Sequence, residues 1–226
     1  LLTFAIAGVV TLRSCAGAAE VTSERADPIA PAIVDDPSPT PTTVDYPSVD
    51  DPSDPIEPAP SPQPTSTDID PDAINLGMNK PPRAYDDFLL AVMTDLDVWW
   101  SAIYPEIYGE AFTSLEGDVY AAYPGRPDDI PGCGAPRTTY EDVQEYVAFY
   151  CGVGDFMVYD DGDDGLLAEL AREYGAATIG TVLAHEFAHA IQLRIGALDR
   201  ALPTIRTEQQ ADCFAGAWTG RAARGE

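Results

Sequence analysis

The chain has 226 residues, with 12 lysines and arginines against 38 aspartates and glutamates, a formal net charge of −26. That balance excludes a nucleic-acid partner. A phosphate backbone is held by clustered cations, and a single lysine (Lys80) beside eleven arginines forms no basic stripe. A hydrophobic content of 45% is enough for the core of one ordinary domain, so the chain is not disordered throughout.

The chain opens on an apolar run, Leu1 to Leu12. It is too short to span a bilayer, which takes about 20 residues, but has the length of the apolar core of a secretion signal. Leu12-Arg13-Ser14-Cys15 then resembles a bacterial lipoprotein processing box. That resemblance makes Cys15 the lipidated first residue of the mature protein, with ordinary cleavage near Ala16-Gly17-Ala18 or a retained anchor as the competing expectations. Residues 1–19 are thus read as a signal and lipobox region. The protein is expected at the bacterial cell envelope, outside the cytoplasm, either secreted or tied to the membrane by a lipid or the signal segment.

Residues 20–82 hold 15 of the 21 prolines, mixed with Ser, Thr, Asp and Glu. Proline lacks the amide proton that helix and central strand need. A chain this polar and acidic cannot bury enough surface to offset its ordering entropy. The segment is read as an extended, self-repelling linker carrying a domain that spans residues 83–226.

Within that domain, Phe88, Leu89, Val92, Met93, Leu96, Trp99, Trp100 and Ile103 recur at three-to-four spacing and predict an amphipathic helix over 85–104. Residues 105–137, rich in Pro and Gly, read as irregular. Residues 147–150 and 156–159 predict a β-hairpin joined by residues 151–155. The acidic turn Asp160 to Gly165 invites a calcium reading, but no Glu closes a twelve-residue loop, so it is read as the cap of a short helix over 166–174. A longer helix is expected over 176–195, closed by Gly196, and a last one from about Thr204. The class is α+β, mostly helical with a small β element.

The chemistry is concentrated in the last two helices. His185 and His189 are the only histidines, and in His185-Glu186-Phe187-Ala188-His189 they stand four apart, one turn along one helical face. Two imidazoles so placed can share a tetrahedral metal, and Zn²⁺ prefers such ligands. Glu186 projects beside the metal, where it can act as base rather than ligand. Zinc lowers the pKa of water from about 15.7 to about 7, so a carboxylate can then generate a hydroxide near neutral pH. A third ligand must be a carboxylate or thiolate. Glu208, 19 residues past His189, suits the role, with Asp212 one turn on as acceptor for a ligating imidazole N–H. Cys213 is the alternative ligand, or else a buried, inert thiol. In an exported chain, Cys133 and Cys151 are expected to form a disulfide.

Phe149-Tyr150-Cys151, Tyr159-Asp160, Glu169-Leu170, the run Val182 to Glu186 with His189 and Gln192, and Glu208 with Gln210 to Gly216 and Trp218 together resemble the bacterial neutral zinc metallopeptidase family. The resemblance covers residues 85–226. It implies a zincin-like fold of gluzincin type, one Zn²⁺ held by His185, His189 and Glu208, and Glu186 as the catalytic residue. The expected function is that of a zinc metalloendopeptidase acting on a peptide or protein substrate. Family members continue past the Trp218 segment, so the domain is expected to be clipped at its C-terminus. Two competing expectations remain: an envelope module that keeps zinc for folding without catalysis, and a tethered interaction domain without metal.

Overall fold

Two aspartates, Asp86 and Asp87, open a long helix, where negative charge offsets the helix dipole; this helix, α1, runs Asp86–Tyr108. It stops at Gly109, whose φ of 79° is left-handed and whose N–H bonds back to Pro105 O. The computed structural model describes Cys15 and residues 68–126, 129–199 and 203–225, all in one structural unit. The predicted apolar stripe of α1 faces inward: Leu89, Val92, Met93, Leu96, Trp99, Trp100 and Ile103 are buried, and Phe88 packs at the margin.

After α1 come β1 (Val119–Ala122), a single-turn helix α2 (Tyr140–Val143), β2 (Ala148–Cys151), β3 (Phe156–Asp160), α3 (Leu166–Tyr174), α4 (Ala176–Arg194) and α5 (Thr204–Ala223). Among the described residues the architecture is α+β, with helix dominant and one three-stranded sheet of order β1-β3-β2. β2 and β3 form the expected antiparallel hairpin, with Cys151 opposite Phe156. β1 corrects the sequence reading, which took residues 105–137 as irregular. Its four residues pair in parallel with β3, Val119 opposite Met157. A strand this short among prolines and glycines leaves no local periodicity; it exists because β3 offers an edge.

The domain also begins earlier than residue 83. Ile74 is buried in the core, and Asn75 bridges to β1, donating its N–H to Val119 O at 2.7 Å. Arg126 fastens this segment further, donating to Asn75 O and Ala121 O at 2.8 and 2.6 Å. The proline content that marks residues 20–82 as linker therefore misplaces its last part, which is docked by long-range contacts that composition does not show: the Asn75 bridge, the buried Ile74, Arg126, and Lys80 paired with Asp86 and Asp161. The rest of that linker, and the signal region apart from Cys15, lie outside the described residues.

The acidic turn behaves as a cap. Asp160 accepts from Gly162 N and Leu166 N at 2.9 and 3.0 Å, securing the start of α3. A Cβ on Gly165 would come within 2.3 Å of that carboxylate, so the approach requires glycine. α4 packs lengthwise on α5, and against α1, α3 and β2. Leu183, Phe187 and Ile191 from α4 meet Phe214 and Trp218 from α5 in the shared core.

Two disulfides complete the fold. Cys133 is joined to Cys151 as expected, tying the loop before α2 to the end of β2. The second, Cys15 to Cys213, departs from the sequence reading. Cys15 was expected to carry lipid and Cys213 to be a thiol or a zinc ligand. A sulfur spent in this bond carries neither a thioether nor a metal. Nothing in the local spacing announces a pairing across 198 residues.

Candidate metal centre

Helical periodicity on α4 puts His185 and His189 one above the other, their ring centroids 4.9 Å apart and nearly perpendicular. α5 lies alongside and brings Glu208 to the same point. Its Oε2 is 3.1 Å from His185 Nε2 and 3.6 Å from His189 Nε2. Among the described residues these three form the one group of metal-ligating type, their ligand atoms all within 4.8 Å of one another. A tetrahedral zinc with bonds of about 2.0–2.1 Å separates neighbouring ligand atoms by roughly 3.3 Å. Two imidazole nitrogens and one carboxylate oxygen at these spacings fit such an ion, with small adjustments of the Glu208 side chain.

The far side of each imidazole is also held. His185 Nδ1–H donates to Asp212 Oδ1 at 2.8 Å, the contact expected for Asp212. His189 Nδ1–H donates to Gln192 Oε1 at 2.8 Å. Gln192 escaped the sequence reading as an orienting group, although its position three residues past His189 puts it on the same helical face. With both Nδ1 atoms engaged outward, both Nε2 atoms are turned toward Glu208, the side from which a metal would take their lone pairs. The site opens toward α5: the Glu208 and Asp212 side chains are 43% and 72% exposed, those of His185 and His189 only 23% and 16%.

Glu186 stands beside the pair without joining it. Its Oε2 accepts from the backbone N–H of Tyr150 at 3.0 Å. β2 is an edge of the sheet, and the residues of an antiparallel edge strand alternate in aiming their amides outward. Tyr150 aims its amide at α4. Burial pushes the Glu186 carboxyl up to about 7, with the nearby Glu208 charge adding to the rise, while His185 and the Tyr150 N–H oppose it. Burial likewise lowers the His189 pKa, favouring the neutral imidazole that a metal requires.

The β2–α4 contact is secured at the other end of α4. Arg194 Nη2 lies 2.8 Å from Asp155 Oδ2 in the hairpin turn, and the Tyr150 hydroxyl donates to Asp155 Oδ1 at 2.6 Å. One aspartate thereby fixes both the helix and the residue whose amide holds Glu186.

No family model matches the chain, and no solved structure matches it. The chain is similar to uncharacterized proteins of Mycobacterium tuberculosis and Mycobacterium bovis, each 35% identical over 97 residues. The match takes in 38% of this chain and 31% of each relative, so the chain spans about a third of the length of the curated relatives it matches.

Proposed function

We propose that this domain is a zinc-dependent metallopeptidase, with His185, His189 and Glu208 as ligands and Glu186 as general base. The observation that carries the reading is the meeting of those three ligand atoms from two helices, with the half-buried Glu186 carboxylate one residue from the first of them. Three protein ligands on a site open to solvent suit a catalytic zinc, whereas structural zinc is enclosed by four.

Zinc, when bound, supplies a Lewis acid that polarises a peptide carbonyl and acidifies water. The rest is the work of the chain. Asp212 and Gln192 hold the imidazoles in the Nδ1–H tautomer and so present Nε2. Glu208 contributes one negative charge. Glu186, beside the ligand His185, would take a proton from water and return it to the departing amine. The Tyr150 amide holds its Oε2, leaving Oε1 as the atom that moves the proton. Two disulfides favour an oxidising compartment, so we place this activity outside the cytoplasm, at the bacterial cell envelope. No described helix is long and apolar enough to cross a membrane.

Metal analysis of the chain, paired with cleavage of a broad peptide library by wild type and Glu186→Gln, tests the reading. The expected result is one zinc per chain in both forms and a cleavage rate lower by about 10²–10⁴-fold in the variant. Stoichiometric zinc with no cleavage by either form would assign the domain as a silent zinc module. Absence of zinc would assign it as an interaction domain.

A further inference from the structure

We propose that Gln192 and Gln210 are positioning residues for the metal centre, and that the Cys15–Cys213 disulfide is the fixed end of the relay they form. The proposal rests on the reading of His189 as a metal ligand. Both glutamines are wholly buried, where an amide is costly unless its hydrogen bonds are made. Theirs run in one line. His189 Nδ1–H donates to Gln192 Oε1 at 2.8 Å; Gln192 Nε2 donates to Gln210 Oε1 at 3.1 Å and to Thr207 O at 2.6 Å. Gln210 Nε2 donates to the backbone carbonyl of Cys15 at 3.2 Å.

The direction of that line decides which nitrogen His189 offers. A primary amide has a donor end and an acceptor end of nearly equal size, so sterics alone do not choose between its two orientations. Here two backbone carbonyls, which only accept, make the choice. Thr207 O and Cys15 O can accept but not donate, so each glutamine meets them with Nε2, which leaves Gln210 Oε1 for Gln192 and Gln192 Oε1 for His189. Turning Gln192 over would set its oxygen against Thr207 O and Gln210 Oε1. Turning both would set Gln210 Oε1 against Cys15 O. Either leaves buried acceptors facing one another. With Gln192 Oε1 so fixed, His189 keeps its proton on Nδ1 and its lone pair on Nε2, facing Glu208.

Thr207 belongs to α5, but Cys15 is 195 residues from Gln210 in the chain. Its carbonyl stays at Gln210 because its side chain is bonded to Cys213, three residues further along the same helix. The disulfide therefore acts on the metal centre through Gln210 and Gln192, without touching a ligand.

The test uses the full chain and compares wild type with Gln192→Leu, Gln210→Met, the pair Cys15→Ser/Cys213→Ser, and that pair combined with Gln210→Met. Zinc affinity is read by chelator competition. The tautomer of His189 is read in metal-free protein from its ring ¹⁵N shifts at a pH where both histidines are neutral. Circular dichroism confirms the fold. Gln192→Leu is expected to lose 10–100-fold in zinc affinity and to populate the Nε2–H tautomer. Gln210→Met and the cysteine pair are expected to give smaller losses that do not add when combined, because both break the same link. If the cysteine pair fails to fold, Gln192→Leu and Gln210→Met decide the matter through the tautomer. Folded Gln192→Leu with wild-type affinity and tautomer overturns the proposal, as does strict additivity of the Gln210 and cysteine losses. Wild type that takes up no zinc overturns the metal reading and this one with it, whereas zinc-binding wild type matched by Gln192→Leu in both affinity and tautomer overturns this one alone.

Discussion

At the scale of single residues, the site is governed by where protons sit. Glu186 binds its proton more tightly in the folded, metal-free protein, at about 7, than in the unfolded chain near 4.5. Between those values the native state holds more protons than the unfolded state, so this residue makes stability fall as pH rises, by an amount on the order of 3 kcal/mol across the window. His189 acts in the opposite sense: its lowered pKa means that acidification below its unfolded value costs stability. The difference between metal-free wild type and Glu186→Gln isolates the first effect. Urea titrations at pH 5 and pH 7.5 should show the variant gaining relative stability at the higher pH; a constant difference would contradict the burial argument. Asp212 acts on the other histidine. Because its side chain is 72% exposed, water can partly replace it, and Asp212→Ala should weaken zinc binding by about tenfold, the low end for such partners. Chelator competition measures that directly.

At the scale of elements, the centre depends on α4 being held between α5 and the edge of the sheet. Asp155 is the joint on the sheet side. It accepts from both Arg194 and Tyr150, and with its Arg194 partner it is largely shielded from solvent. Asp155→Ala leaves that guanidinium without its carboxylate, and it also puts alanine at a φ of 49°, a conformation that aspartate tolerates better. A loss of about 3 kcal/mol in chemical denaturation is expected. The loss should come with a lower Glu186 pKa, as the loosened hairpin admits water. The helix α1 was legible in the sequence because its apolar stripe repeats within a few residues, and α4 because Gly196 marks its end. The pairing of β1 was not, since four residues carry no period of their own and the partner lies almost 40 residues away.

At the scale of the whole molecule, zinc would join α4 to α5, and its binding should stabilise the fold by about 2.7 kcal/mol at a free concentration a hundredfold above Kd. A thermal midpoint that rises with zinc in wild type, and much less in Glu208→Ala, is the expected observation. Read alone, the sequence determined the two histidines and Glu186, because one turn of helix brings residues four apart to one face wherever the helix is placed. It also pointed to Glu208 and Asp212, which obey the same spacing on the next helix. Only the tertiary structure decided that the two helices face each other at ligand distance and that the Tyr150 amide holds Glu186. It alone decided that Cys15 closes on Cys213, and that Gln192 and Gln210 line up behind His189. Apart from the His189–Gln192 bond, three residues apart on one helix, those contacts join residues 18 to 198 positions apart. Contacts of that range are set by how elements pack, and packing leaves no periodic trace in the order of the amino acids.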